Sequence, residues 1–131
     1  RRQSENALAV GKFVESRVPR ILHPGLPSHP QHNLAKSQMD DCGPIFSFVL
    51  GGGAAQAMAF LNALELVDIS NNIGDSRSLC CHPASTTHYG VSAEARADMG
   101  VVEGMLRINI GLEDPRDIIA DLDQALTKVG L

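Results

Sequence analysis

A lone arginine within an aliphatic segment is the residue best suited to binding chemistry in this chain. The segment alternates aliphatic with polar residues, in the order Leu106, Arg107, Ile108, Asn109 and Ile110. Side chains of a strand point to opposite faces with a period of two, so one face packs while the other carries the guanidinium. The planar fork of arginine matches a carboxylate through two parallel hydrogen bonds. The pattern therefore predicts a strand that presents Arg107 to an anion.

The anion could belong to the chain itself or to a ligand. An unpaired buried charge is costly, so a strand-borne arginine among aliphatic residues needs a negatively charged partner. Glu113 and Asp98 are the nearby acids, and spacing alone favours a structural ion pair with one of them. The alternative is a carboxylate of a bound molecule, which spacing alone does not identify.

Composition limits the classes of partner. A chain of 131 residues is predicted to form one domain, and a net charge of -4 argues against nucleic-acid binding. No apolar run approaches the ~18–20 residues of a membrane span. The three cysteines include the vicinal pair Cys80 and Cys81, which we expect to be free thiols in a reducing cytoplasm. The five histidines lack the spacing of a metal site and are expected to serve caps and turns.

Periodicity and turn residues predict the elements that must position Arg107. Helices are predicted over residues 5–17, 30–39 and 54–64, after the N-cap Ser92, and from Pro115 to Lys128 behind the N-cap Asp114. Strands are predicted over residues 18–22, 45–50, 66–70 and 78–82, and around Arg107. Helices and short strands without strict alternation indicate an α+β fold, with a small, mostly antiparallel sheet and helices on one face.

Several motifs occur in an order typical of one family. Residues 82–88 read His-Pro-Ala-Ser-Thr-Thr-His, and residues 104–114 read Gly-Met-Leu-Arg-Ile-Asn-Ile-Gly-Leu-Glu-Asp. Upstream lie Pro-Gly-Leu-Pro-Ser-His-Pro-Gln-His at residues 24–32 and three glycines at 51–53. Over nearly its whole length the chain resembles the C-terminal domain of the cysteine/methionine-metabolism family of pyridoxal-phosphate (PLP) enzymes. The resemblance implies the small C-terminal domain of a fold-type I PLP-dependent transferase.

The resemblance also implies roles for individual residues. Arg107 stands where the family clamps the α-carboxylate of the amino-acid substrate. Asn72 takes the position of a family serine that helps hold the same carboxylate, and Asn71 lies where the family varies its side-chain discrimination. Thr87 falls near the same pocket. The alternatives are that the two asparagines only serve a tight turn and that Thr87 only satisfies local backbone groups.

By the same resemblance, residues 1–17 are the end of an interdomain helix and residues 18–131 are the small domain. The N-terminal PLP-binding domain, with the cofactor lysine, is expected to be missing from this chain. Lys12, Lys36 and Lys128 are interpreted as solvated surface lysines, so this chain alone is expected to bind no PLP and to be inactive. The implied partners are the chain's own N-terminal domain and an amino-acid substrate, within a cytoplasmic homotetramer.

The loop Asn-Asn-Ile-Gly-Asp at residues 71–75 bears on the reaction. Within the family, this loop favours the O-succinylhomoserine sulfhydrylase branch, which converts O-succinylhomoserine or O-acetylhomoserine and sulfide to homocysteine in methionine biosynthesis. A cystathionine γ-synthase or γ-lyase domain is the alternative, because these enzymes share the fold and Arg107. A second alternative is a non-catalytic module for amino-acid binding or dimerisation.

Overall fold

The computed structural model describes residues 1–131, which form five helices and five strands. The helices are α1 (Arg2–Glu15), α2 (His32–Gln38), α3 (Gly53–Ala63), α4 (Ala93–Asp98) and α5 (Pro115–Lys128). The strands are β1 (Arg20–Leu22), β2 (Ile45–Val49), β3 (Asp68–Ile69), β4 (Leu79–Cys81) and β5 (Met105–Asn109). One turn of 3₁₀ helix follows β4 at Pro83–Ser85. Each predicted element is present.

The five strands form one sheet in the order β1-β2-β5-β4-β3. All neighbouring pairs are antiparallel except β3 and β4, which run parallel. The strand that carries Arg107 is therefore the central one, with β2 on one side and β4 on the other. This arrangement confirms the predicted α+β fold with a small, mostly antiparallel sheet.

The core lies between one face of the sheet and helices α1, α3 and α5. The sheet contributes an aromatic and aliphatic row in which Phe48 pairs with Leu106, and Phe46 with Ile108. All four side chains are buried, and Phe60 of α3 meets Phe48 edge-on at a centroid distance of 5.6 Å. The opposite face of the sheet is not covered by these helices. Arg107 points toward this face, which we call the open face because these helices leave it free, although other parts of the chain bury Cys81 and Asn109 on it.

Helices α4 and α5 start at the predicted caps, and in α3 the sheet determines which residues are buried. The Ser92 hydroxyl accepts a hydrogen bond from Ala95 N at 3.2 Å, and the Asp114 carboxylate accepts one from Arg116 N at 2.9 Å. Met58 of α3 is 43% exposed, although its spacing from Leu61 would suit a buried stripe, and Phe60 instead packs against Phe48 of β2. Both residues fit a helical period, and only the position of the sheet distinguishes them.

Gly104 permits the close approach of two backbone segments at the start of β5. Leu50 N donates to Gly104 O at 2.9 Å, and a Cβ atom on Gly104 would collide with the carbonyl oxygen of Leu50. We expect Gly104→Ala to lower the free energy of unfolding by about 2 kcal/mol, because overpacking forces the backbone to shift. Urea unfolding measures the loss.

Gly90→Ala is the matched control, because no atom lies within 4 Å of a Cβ atom built there. Its unfolding free energy should stay within about 0.5 kcal/mol of the parent chain. Equal urea midpoints for the two variants would contradict the close approach at Gly104.

Candidate substrate-binding site

Arg107 lies in the middle of the open face of the sheet. Its cross-strand neighbours on that face are Ser47 of β2 and Cys81 of β4, and Leu22 of β1 continues the row beyond Ser47. Arg107 is half-buried, while Leu106 and Ile108 on either side of it are fully buried in the core. The alternation predicted for β5 is thus confirmed. The central strand fixes the position of the guanidinium and leaves its tip accessible.

The guanidinium has no acidic partner within the chain. Its one hydrogen bond runs from Nη2 to the carbonyl oxygen of Asn71 at 2.8 Å, and none of the ion pairs involves Arg107. The Glu113 carboxylate is already occupied, since it accepts hydrogen bonds from Ser78 N at 2.7 Å and Ser78 Oγ at 2.9 Å. The predicted structural ion pair of Arg107 with Glu113 or Asp98 is therefore wrong.

The loop after β3 lies beside Arg107 and carries both asparagines. Residues 71–77 are exposed along their whole length. The backbone of Asn71 accepts from Arg107, and the backbone N–H of Asn72 donates to Ser70 Oγ at 3.2 Å. The side-chain amides of Asn71 and Asn72 make no hydrogen bond within the chain. Both amides therefore remain able to bind a polar ligand next to the guanidinium.

Thr87 stands apart from this pair. Its hydroxyl is 2.8 Å from Nδ1 of His88, and the side chain is exposed. The neighbouring Thr86 instead lines a cavity of about 290 Å³ that Asn71 and Cys81 also line. The structure thus brings Arg107 and Asn71 into contact, with Asn72 adjacent, and places Thr87 against a local side chain.

Sequence reasoning missed two residues that hold the loop. Asn109 of β5 accepts a hydrogen bond from Gly74 N at 3.1 Å, and Gln3 of α1 donates to Asp75 O at 2.7 Å. Asn109 could have been identified from the sequence, because it shares the strand face of Arg107 and interrupts an aliphatic run. Gln3 could not have been identified in this way, since its contact with Asp75 joins residues far apart in the sequence.

Histidine rings bond groups in nearby turns, as predicted, and His82 also reaches a carbonyl 21 residues away. His82 bonds Ser85 Oγ at 2.8 Å and the carbonyl of Glu103 at 2.7 Å, and His32 lies 2.8 Å from the carbonyl of Pro24. No group of three or more His, Cys, Asp or Glu residues is arranged to hold a metal ion. All three cysteines are free, and complete burial raises the pKa of the Cys80 thiol.

The lysines do not fit a PLP site. The aldehyde of PLP needs a lysine, and its phosphate needs nearby donors. Lys12 is exposed on α1, and Lys128 is 3.4 Å from Glu65 in an exposed ion pair. Lys36 lines an open cavity of about 310 Å³ in which Asp40 and Asp41 would repel a phosphate. The residues of this chain therefore offer no complete site for the cofactor.

None of the helices has the length and apolar character needed to cross a membrane.

Comparisons with known proteins agree on one family. The family model described as "Cys/Met metabolism PLP-dependent enzyme" matches residues 1–127. The chain is 44% identical over 133 residues to an O-succinylhomoserine sulfhydrylase of Mycobacterium tuberculosis, covering 95% of this chain and 33% of that protein. It is 41% identical over 130 residues to an L-methionine gamma-lyase of Fusobacterium nucleatum subsp. polymorphum, covering 98% of this chain and 33% of that protein.

A solved structure has the same fold. The cystathionine gamma synthase of Xanthomonas oryzae pv. oryzae, in complex with aminoacrylate and cysteine, superposes with a TM-score of 0.92 at 38% identity. The match covers 98% of this chain and 34% of that chain. The chain spans about a third of the length of the curated relatives it matches. Because the family model covers nearly all of its residues, the chain belongs to the Cys/Met metabolism family of PLP-dependent enzymes.

Proposed function

We propose that this chain is the small C-terminal domain of a PLP-dependent sulfhydrylase and that it binds the α-carboxylate of the amino-acid substrate. The observation that carries the proposal is the state of Arg107. A half-buried guanidinium on an open sheet face keeps one backbone hydrogen bond, to Asn71, and has no acidic partner. A substrate carboxylate would supply the missing negative charge through two parallel hydrogen bonds.

The chain's own residues would orient the substrate. The Asn71 carbonyl holds Nη2 of Arg107 at 2.8 Å and so restricts rotation of the guanidinium. The donors that remain on Arg107, with the free amides of Asn71 and Asn72, would bind the carboxylate in one orientation. When bound, PLP supplies an electron sink for the negative charge that develops next to the substrate amino group. The role of this domain is to fix the substrate angle relative to that cofactor.

The remainder of the protein would supply the cofactor site. The chain covers about a third of its relatives' length, and its three lysines do not fit PLP. We therefore assign residues 1–17 to the end of an interdomain helix and residues 18–131 to the small domain. The cofactor lysine belongs to a separate N-terminal domain that packs on the open sheet face. The assembly proposed for the whole protein is a cytoplasmic homotetramer.

Two features favour the sulfhydrylase over other members of the family. The loop of residues 71–75 reads Asn-Asn-Ile-Gly-Asp, and a sulfhydrylase relative is 44% identical to the chain. The reaction would replace the succinyl or acetyl group at Cγ of the acylhomoserine with sulfide and give homocysteine. A cystathionine γ-synthase or γ-lyase is the second candidate, because a methionine gamma-lyase at 41% identity and a cystathionine gamma synthase at 38% each match 98% of the chain.

The test uses the full-length protein loaded with PLP. Purified enzyme is assayed for homocysteine from O-succinylhomoserine and from O-acetylhomoserine with sulfide, for cystathionine with cysteine in place of sulfide, and for α-ketobutyrate from methionine. We expect the highest kcat/KM for sulfide-dependent homocysteine formation. A higher kcat/KM with cysteine, or for methionine breakdown, would reassign the reaction to a synthase or a lyase. No turnover in any of these four assays, and none with cystathionine as the substrate, would favour a non-catalytic module.

A further inference from the structure

We infer that Asn109 is a positioning residue for the substrate carboxylate, acting through the loop of residues 70–77. The inference rests on the proposed function, because it concerns the loop that lies beside Arg107. Asn109 is 1% exposed, so its amide cannot bind a ligand from solution directly. Any effect of Asn109 on substrate must therefore pass through the groups that its amide contacts.

Every side-chain hydrogen bond of Asn109 goes to the backbone of this loop. Oδ1 accepts from Gly74 N at 3.1 Å, while Nδ2 lies 3.5 Å from Asp75 O and 3.4 Å from Arg77 O. One amide thus contacts three of the loop's last four residues before β4 leads back into the sheet. Burial removes competing water, which strengthens hydrogen bonds of this kind.

Arg107 holds the first half of the same loop. Its Nη2 donates to the carbonyl of Asn71, while Asn109, two residues along the same strand face, holds the second half. At its ends the loop is tied by Ser70 N to Cys80 O at 3.0 Å and by Leu112 N to Ser76 O at 2.8 Å. Between those ties, β5 therefore sets the shape of the loop at two points.

A further tie comes from α1, where Gln3 donates to Asp75 O at 2.7 Å. Residues 71–77 are exposed, so these few hydrogen bonds largely determine where residues 71–75 lie, while Ser76 and Arg77 also pack against Gly111. Without Asn109, Gly74 loses its only side-chain hydrogen bond to the sheet, and Arg77 keeps only its ion pair with Asp68 of the edge strand β3. The Asn71 carbonyl would then shift, and the guanidinium that it orients would shift with it.

Asparagine fits this role better than aspartate or serine would at residue 109. An aspartate at residue 109 could accept from Gly74 N, but its second oxygen would face the carbonyls of Asp75 and Arg77 and would repel them. A serine would be too short to span both sides of the loop. The asparagine amide, with one acceptor and two donors, matches one N–H and two carbonyl groups.

The experiment compares Asn109→Ala with Asn6→Ala in the full-length, PLP-loaded enzyme. Asn6 is a matched control, because it is 2% exposed and its amide also donates to two backbone carbonyls, Gly111 O at 3.2 Å and Glu113 O at 3.0 Å. Both variants should lower the melting temperature. Only Asn109→Ala should also raise the KM for the acylhomoserine, by about 10-fold, with kcat changed less than KM.

A double-mutant cycle with Arg107→Lys tests whether Asn109 acts through Arg107. In the Arg107→Lys background, Asn109→Ala should raise KM by less than about 3-fold, because the oriented fork is already lost. If Asn109→Ala fails to fold, Asn109→Ser replaces it in both backgrounds, with the same expected pattern.

Three results are decisive. A KM for Asn109→Ala equal to that of Asn6→Ala, or effects that multiply fully in the double variant, would overturn the inference while leaving the proposed function intact. An unchanged KM in Arg107→Lys and in Arg107→Ala would overturn the proposed function itself. A 10-fold rise in the KM of Asn109→Ala that occurs with Arg107 and not in the Arg107→Lys background would support both the inference and the proposed function.

Discussion

Replacing Arg107 with alanine in the full-length enzyme should lower kcat/KM for the acylhomoserine by about 10²- to 10³-fold. Each hydrogen bond between ionised groups contributes about 1.5–3 kcal/mol, and the arginine fork can form two. A loss of about 3–4 kcal/mol corresponds to that range of rates. Most of the loss should fall on KM, because the group that Arg107 is proposed to bind, the α-carboxylate, does not react.

Two further variants separate charge from geometry. Arg107→Lys keeps the positive charge but presents a point charge in place of the fork, so it should recover only part of the lost kcat/KM. Arg20→Ala removes another arginine from the same sheet face, on the edge strand β1, and should leave kcat/KM within about 2-fold. A comparable loss in Arg20→Ala would mean that positive charge on this face, rather than Arg107, governs the rate.

The second large effect concerns stability. Asp121 of α5 is 6% exposed, and its carboxylate accepts hydrogen bonds from the backbone N–H groups of Glu65, Leu66 and Val67 at 2.8–2.9 Å. Gln124 donates to it as well, at 3.0 Å. We expect Asp121→Asn to lower the free energy of unfolding by about 3 kcal/mol, because an amide nitrogen would face backbone donors that need an acceptor.

The effect of Asp121 should depend on pH. Burial raises the pKa of its carboxyl, but the three backbone donors and Gln124 outweigh burial and leave that pKa below its usual value. The stabilisation is therefore complete above the unfolded-state pKa of about 3.9 and is lost as the pH falls through the lower folded-state pKa. Below about pH 4 the difference in unfolding free energy between the parent chain and Asp121→Asn should shrink.

Urea unfolding of the 131-residue chain, followed by circular dichroism between pH 3 and pH 7, measures both effects. Asp117→Asn, one turn earlier on α5 and exposed, is the matched control and should change the unfolding free energy by less than about 0.5 kcal/mol. A constant difference in unfolding free energy between the parent chain and Asp121→Asn across this pH range would contradict the proposed contribution of the Asp121 hydrogen bonds.

The elements with strong local signals were predictable from the sequence. The helix after Asp114 had a cap, a proline and an apolar stripe, and it begins at Pro115 as expected. The alternation around Arg107 likewise predicted the strand that forms β5, with Arg107 on the face opposite its aliphatic neighbours. In both cases neighbours in the sequence carry the information, through capping hydrogen bonds and side-chain periodicity.

The features that depend on distant contacts were not predictable. The strand predicted over residues 66–70 shortens to Asp68–Ile69 because Asp121, far along the chain, takes the N–H groups that a longer strand would use. The hydrogen bond from Gly74 N to Asn109 Oδ1 likewise joins residues that are 35 positions apart in the sequence. The role of Arg107 itself came from the resemblance, since spacing favoured the ion pair that the structure does not contain.

The most direct test of the account compares an acylhomoserine with its α-carboxamide, in the parent enzyme and in Arg107→Ala. The amide keeps the shape of the substrate and removes the negative charge that Arg107 is proposed to bind. The parent enzyme should prefer the carboxylate by about 10²-fold or more in kcat/KM, and the preference should fall to within a few-fold in Arg107→Ala. An undiminished preference in Arg107→Ala would show that another group binds the carboxylate and would contradict the central claim.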